Sequence, residues 1–311
     1  MNMDGKVLVC DEIDQKGIEI MKKSGLQVDY KPEIKSDELV KLAKDYDILV
    51  VRSRTKITKE IIDANTKIKI IARVGVGLDN IDVDYAKSKN IQVINAAVAA
   101  MNAVAELVIG LMLSLARNIP INDAGIKNDK WLKKEFKGIE LKGKYLGIVG
   151  VGKIGRRIGR IARGFGMNLI GYDVVPIDQQ FTREVGLITT DLNTLLSSAD
   201  FVTFHVSLTD DTRHMINEQT LKLMKKTAYI INTSRGAVID EVALYKALKE
   251  GKIAGVALDV FEVEPPTNNE LVKLPNVICT PHIGAQTVEA QELAANVIAE
   301  QIIQIVRQSE F

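Results

Sequence analysis

The 311 residues exceed one ordinary domain, and 46% hydrophobic content with 26% charged residues describes a chain that builds a large core rather than a disordered one. Forty-one basic against forty acidic residues leave a formal charge of +1, which excludes a general nucleic-acid binder and makes any anion site local. The two cysteines, Cys10 and Cys279, each lie in an apolar run without a second Cys or a His at metal-ligand spacing; buried free thiols, no metal site and a reducing cytoplasm are the expectation.

From the start, short β-type runs alternate with helical patterns. Lys6–Cys10, Gln27–Tyr30, Asp47–Val51, Ile68–Ala72 and Ile91–Ile94 read as strands, with helices such as Gln15–Lys23 and Asp37–Lys44 between them. The apolar run Val7–Cys10 is too short for the core of a signal peptide. This alternation predicts βαβ units and a small, doubly wound parallel domain. Ala96–Ala116 is almost uncharged and reaches the length of a membrane span, but it is largely alanine and contains Asn102 and Glu106, so it reads as a buried helix between domains. The polar stretch Ile121–Gly143, which holds Trp131, reads as a long connection, mobile or packed on a partner. A second series follows: Tyr145–Val149, Asn168–Tyr172, Phe201–Val206, Ala228–Asn232, Gly255–Leu258 and Val277–Thr280, a six-stranded nucleotide fold. The closing helix, Thr287–Gln308, is placed to return to the first domain.

Gly150, Gly152 and Gly155 stand in G-x-G-x-x-G spacing directly after a strand and before the helix-compatible Arg156–Phe165. The first glycine permits a tight turn, the second lets backbone approach a pyrophosphate, and the third admits close helix–strand packing, with the anion on the helix N-terminus. Asp173 ends the next strand about twenty residues on, where an acceptor for ribose hydroxyls belongs, and no arginine follows it; NAD rather than NADP is expected. A methyltransferase is the rival for this half taken alone.

There are three histidines. His214 lies in a polar loop or helix start and reads as structural. His205 either lines the cofactor cleft or holds the end of its strand. His282 follows Cys279-Thr280-Pro281 at the end of the last strand. Glu264 in Phe261-Glu262-Val263-Glu264-Pro265-Pro266 and Arg235 after Asn232-Thr233-Ser234 also fall at carboxyl ends of the same sheet, where ligands bind in such folds.

These motifs, with Val51-Arg52-Ser53, Arg73-Val74-Gly75-Val76-Gly77-Leu78-Asp79-Asn80, Ala257-Leu258-Asp259-Val260-Phe261 and Pro281-His282-Ile283-Gly284-Ala285, occur in one order along essentially the whole chain. In this the sequence resembles the D-isomer-specific 2-hydroxyacid dehydrogenases, and most of all the branch that oxidises 3-phospho-D-glycerate. The resemblance implies an α/β protein of two doubly wound parallel-sheet domains: a Rossmann NAD domain (95–285) inserted in a smaller flavodoxin-like substrate domain (1–94 and 286–311). It implies Arg235, Glu264 and His282 as the catalytic set. Gly150, Gly152, Lys153, Ile154, Gly155, Asp173, Val206, Ser207, Thr233, Asp259, His282, Gly284 and Ala285 would line the NAD site, and two chains would pair through the nucleotide domain into a homodimer. No nucleic-acid or membrane partner is implied.

The chemistry asks for the same residue types. Oxidising a 2-hydroxy acid needs a base of near-neutral pKa facing the hydroxyl, which suits His282. A carboxylate on its other ring nitrogen, Glu264, would fix the tautomer and stabilise the imidazolium. A guanidinium, Arg235, would hold the substrate carboxylate and polarise the C2 oxygen. For the substrate, the resemblance implies that the backbone of Val74, Gly75 and Val76, otherwise a plain turn, binds the carboxylate, and Arg52, beside Arg54, either offers charge to a phosphate or is, like Arg54, an ordinary surface arginine. The expected reaction is oxidation of 3-phospho-D-glycerate to 3-phosphohydroxypyruvate, the first step of phosphorylated serine biosynthesis. The alternatives are a glyoxylate or hydroxypyruvate reductase and, remotely, an NAD-sensing corepressor of the same fold. Because the sequence ends at Phe311, a C-terminal regulatory domain and inhibition by serine are not expected.

Overall fold

The computed structural model describes residues 5–308. The backbone divides into two compact units, one running to Met101 and resuming at Ala285, the other Asn102–Gly284.

The first unit alternates β1 (Lys6–Val9), α1 (Gln15–Lys23), β2 (Gln27–Tyr30), α2 (Ser36–Leu42), β3 (Ile48–Val51), α3 (Lys59–Asp63), β4 (Ile70–Arg73), α4 (Val83–Ser88) and β5 (Gln92–Asn95). Its five strands are all parallel in the order β2-β1-β3-β4-β5, the flavodoxin-like winding. β3 is buried at all four positions, as a central strand covered on both faces must be. Asp14 caps α1 by accepting from the Lys16 amide, and Lys22 and Lys23 lie in its last turn, where cations suit the helix dipole.

The first pass of the chain through this unit runs to Met101. Ala96 and Ala99 belong to the first unit's core with Val7, Ile48 and Ile70, so the chain leaves that unit only after a turn that carries no strand or helix pattern. α5 (Met101–Arg117) therefore starts later than the uncharged run does, and α6 (Ile119–Lys127) occupies part of what reads as an irregular connection. Left-handed Asn118 (φ 54°) separates them, and Pro120 stands in the first turn of α6, where its missing N–H costs nothing. Among the described residues no single helix is long and apolar enough to cross a membrane; α5 and α6 reach that length only together, bent by 65°.

The second unit continues with β6 (Tyr145–Val149), α7 (Lys153–Gly164), β7 (Asn168–Tyr172), α8 (Gln179–Val185), β8 (Leu187–Thr189), α9 (Leu192–Ser198), β9 (Phe201–Phe204), α10 (Glu218–Leu221), β10 (Tyr229–Asn232), α11 (Glu241–Lys249), β11 (Gly255–Leu258) and β12 (Val277–Cys279). Its sheet is parallel and seven-stranded, β12-β11-β10-β9-β6-β7-β8, the Rossmann order with one strand added. The sequence reading of six strands misses β8, a three-residue edge strand with one buried position and too little pattern to detect. Cys279 is exposed rather than buried, because β12 is the other edge of the sheet; Cys10 is buried, and both thiols are free.

α12 (Val288–Gln308) closes the first unit. Ala294, Ala295, Ile298, Ala299 and Ile302 pack into the core that β1, β3 and β4 share with α1.

Candidate active site

The glycine loop follows β6. Gly150 has φ +90°, and a Cβ there would come within 2.5 Å of the His205 carbonyl oxygen, while one on Gly155 would meet the Gly150 carbonyl. Only glycine serves at both points. Around Gly152 the space is open to 4 Å, and as N-cap of α7 it supplies no side-chain hydrogen bond, so the first-turn amides of a twelve-residue helix have no side-chain cap. Lys153 and Ile154 begin that helix. Asp173 directly follows β7 and accepts from the Val151 amide at 2.7 Å and the Val175 amide at 3.1 Å, which places its carboxylate against the glycine loop. Among the described residues the buried Thr233 hydroxyl has no hydrogen-bond partner. Open space at Gly152, a helix start without a side-chain cap, a carboxylate at the second strand end and an unpartnered buried hydroxyl are what a dinucleotide requires.

His205 follows β9. Its ring nitrogen lies 2.8 Å from the Thr203 hydroxyl, and burial pushes its pKa down to about 3, so the imidazole stays neutral. With its carbonyl packed against Gly150, it holds the strand end. Val206 packs on the second unit's core, and the Ser207 carbonyl accepts from the Thr212 hydroxyl. His214, at φ +50°, lies 3.3 Å from Glu262.

The loops after β10, β11 and β12 carry the remaining candidates. Asn232, wholly buried at the end of β10, accepts the Ser234 amide (3.0 Å) and hydroxyl (2.8 Å) and donates to the Arg235 carbonyl (2.9 Å), fixing the turn that presents Arg235. The Arg235 guanidinium donates to the Ser234 carbonyl at 2.6 Å. Gly236 lies directly on the Phe261–Glu262 backbone, with no room for a Cβ. The Arg235 turn is thereby seated beside the segment that carries Glu264.

Asp259 is also wholly buried, one residue past β11. It accepts from the Thr280 hydroxyl (2.6 Å) and from the amides of Ile283 and Gly284 (2.8 Å each), stapling the loop that carries His282. Between these bonds His282 takes the left-handed conformation, φ +53°, and donates its amide to the Asp259 carbonyl. Its Nδ1 lies 2.8 Å from Glu264 Oε2, and the other carboxylate oxygen accepts from the Phe261 amide at 3.1 Å. The His282 side chain is 54% exposed, so its ring reaches solvent while Glu264 holds one edge.

His282 and Glu264 therefore meet, with the Arg235 turn alongside. The roles of Asn232 and Gly236 escape that reading, as does the stapling by Asp259, although a buried polar residue directly past an apolar strand is a usable signal. Gly284 is the last residue of this unit, and Ala285 begins the returning segment of the other.

Arg52 and Val74–Val76 lie at the carboxyl edge of the first unit's sheet. Asp11, 2% exposed, accepts the Arg52 amide (2.5 Å), the Thr55 amide (3.2 Å) and the Thr55 hydroxyl (2.6 Å). Arg54 is consumed internally by the carbonyls of Cys10, Pro32 and Ile34 and by Asp11. The Arg52 guanidinium reaches outward to Gln286 Oε1 at 2.6 Å. The Val74 amide donates to Val51 as part of the strand ladder, which takes it from the set of amides open to a ligand. Gly75, with the Arg73 guanidinium folded over it, and Val76 form the turn itself.

Residues 109–284 match the family described as D-isomer specific 2-hydroxyacid dehydrogenase, NAD binding domain. The chain belongs to that family. A relative from Methanocaldococcus jannaschii, a D-3-phosphoglycerate dehydrogenase, is 50% identical over 97% of this chain, and the chain spans 57% of that relative's length. The hydroxypyruvate reductase of Thermotoga maritima is 45% identical over 96% of this chain and 97% of its own. In fold, the chain superposes on the crystal structure of a glyoxylate reductase from Paecilomyes thermophila with a TM-score of 0.90 and 30% identity, covering 98% of this chain and 96% of that one. The part of the chain that matches, residues 109–284, is the family's NAD-binding domain, so the cofactor is NAD.

Proposed function

We propose that this chain oxidises 3-phospho-D-glycerate at C2 to 3-phosphohydroxypyruvate, with NAD as the acceptor. The observation that carries the reading is the 2.8 Å bond between His282 Nδ1 and Glu264 Oε2, on a loop fixed by Asp259 in the unit that bears the glycine loop. With Nδ1–H donated to the carboxylate, Nε2 presents a lone pair and takes the proton of the C2 hydroxyl. Glu264 stabilises the imidazolium so formed. Arg235, on its Asn232-braced turn, holds the substrate carboxylate and draws density from the C2 oxygen. NAD, when bound, accepts the hydride that leaves C2. The Gly75–Val76 amides and Arg52 complete recognition, Arg52 facing the phosphate. In this reading 1–94 with 286–311 form the substrate domain and 95–285 the dinucleotide domain.

The Methanocaldococcus relative supports the phosphorylated substrate; the Thermotoga relative, matched along nearly its whole length, favours an unphosphorylated hydroxypyruvate as second reading. A substrate panel decides between them: kcat/KM at least tenfold higher for 3-phospho-D-glycerate than for D-glycerate supports the first, and indifference to the phosphate supports the second. His282→Ala should lower kcat by about 10²-fold or more with NADH affinity near normal. Full turnover in that variant sinks the mechanism and favours a cofactor-sensing role.

The chain further acts as a homodimer, in a reducing cytoplasm. Exposed Trp131 (76%), Ile126 and Phe136 on the 102–284 unit support pairing, and the two free thiols support the compartment. Trp131→Glu should shift the sedimenting species to a monomer.

A further inference from the structure

The catalytic carboxylate stands on the short segment Phe261–Pro266, and the side chain before it in register, Glu262, takes no part in the chemistry above. Glu262 Oε1 accepts the Glu241 amide at 3.1 Å, while Glu241 Oε1 accepts the Glu262 amide at 2.7 Å. The bond is reciprocal. Glu241 is the first residue of α11, whose next two amides, Val242 and Ala243, are taken by the Asp240 side chain at 3.0 Å each. The Glu262 carboxylate therefore completes the capping of a helix start, where the dipole favours an anion. The second oxygen of Glu241 accepts from Asn269 at 2.7 Å, and His214 Nε2 lies 3.3 Å from Glu262 Oε1. His214 is itself fixed, its amide donating to Ala237 and its carbonyl accepting from Asn217.

These bonds immobilise the backbone on which the catalytic pair depends. The Phe261 amide, one residue before Glu262, holds Glu264 Oε1, and that bond orients Oε2 toward His282. Val263, between them, is 71% exposed and contributes no packing anchor. Glu264 is thus held from its N-terminal side by the buried Phe261 and by the hydrogen bonds that tie Glu262 to α11.

We propose that Glu262 and Glu241 are positioning residues: their reciprocal bond sets the Phe261 amide, through it the Glu264 carboxylate, and so the presentation of His282 to substrate. This rests on the base role of His282 given above. Displacing a catalytic group by about an ångström costs up to about 10²-fold in rate, so Glu262→Ala should lower kcat by about 10- to 100-fold. KM for the 2-hydroxy acid and the Kd for NADH should stay within about twofold. Glu262→Gln, which can still accept the Glu241 amide, should recover most of kcat. In the enzyme without substrate, the hydrogen-bonded Nδ1 proton of ¹⁵N-labelled His282 should be visible by NMR in the parent and in Glu262→Gln and lost in Glu262→Ala. Should Glu262→Ala fail to fold, Glu262→Asp, whose shorter carboxylate withdraws from the helix start, reads the same loss. A variant with lowered Tm but unchanged kcat and an unchanged Nδ1 signal overturns the proposal, as does a Gln variant no better than Ala. A parent enzyme that oxidises no 2-hydroxy acid would instead refute the underlying reading, so the two failures are distinct.

Discussion

The two units solve one problem with the same part. In each, a buried aspartate just beyond a strand reaches across to staple the loop that follows the neighbouring strand: Asp11 beyond β1 holds Arg52–Thr55 after β3, and Asp259 beyond β11 holds Thr280–Gly284 after β12. They differ in how the charge is met. Asp11 has the Arg54 guanidinium at 3.1 Å, while Asp259 is satisfied by a hydroxyl and two amides. One arginine of the first edge, Arg54, is therefore scaffold, while the Arg52 guanidinium reaches outward to Gln286. At the second edge no cation is used in the staple, which rests on a hydroxyl and two amides. Proximity in sequence, as between Arg52 and Arg54, says little about role; the partner of each guanidinium says more.

The largest effect that can break this comparison comes from cutting the staples. Asp259→Ala strands three buried or part-buried donors, each worth about 1–3 kcal/mol, and should lower both Tm and kcat sharply. Asp11→Ala should also lower Tm but leave kcat near normal and raise the KM for substrate. Equal losses of kcat in steady-state assays would erase the distinction between a catalytic and a recognition edge. Next come the arginines. Arg52→Ala should raise the KM for the phosphorylated acid by about tenfold with little change in a urea melt, a charge-assisted hydrogen bond being worth about 1.5–3 kcal/mol. Arg54→Ala should cost about 1–3 kcal/mol in the same melt with KM little altered. Exchanged outcomes would reverse the assignment.

A smaller effect separates the halves by pH. The three histidines all lie in the 102–284 unit, and His205 has its pKa depressed to about 3. The unfolded imidazole protonates first, near 6.5, so the stability this group contributes is complete above that pH and is lost as pH falls toward 3. The slope approaches about 1.4 kcal/mol per pH unit in that window. His205→Gln should flatten it, and hydrogen exchange at pH 4.5 should open β9 before β3. A slope unchanged by the substitution would remove His205 as its source.

Much of this was legible in the residues because it rests on local pattern. Alternating runs mark eleven of the twelve strands among the described residues near their places, the glycine spacing marks the turn after β6, and His282 and Glu264 stand at strand ends where such groups converge. What escaped depends on contacts far apart in sequence. Nothing in Leu187–Thr189 announces a strand, because its pairing with β7 is what makes it one. α6 is hidden by polar residues on a helix with one buried position. Neither the Asp259 staple nor the Glu241–Glu262 bond has a local signature, since each joins segments about twenty residues apart.

The outermost strands of the seven-stranded sheet, β8 and β12, have three residues each, and Pro281, which has no N–H to offer, stands two positions past β12. A foreign chain laid along either flank would find only a brief ladder to zip onto. Edges this short are poor templates for strand addition by another chain.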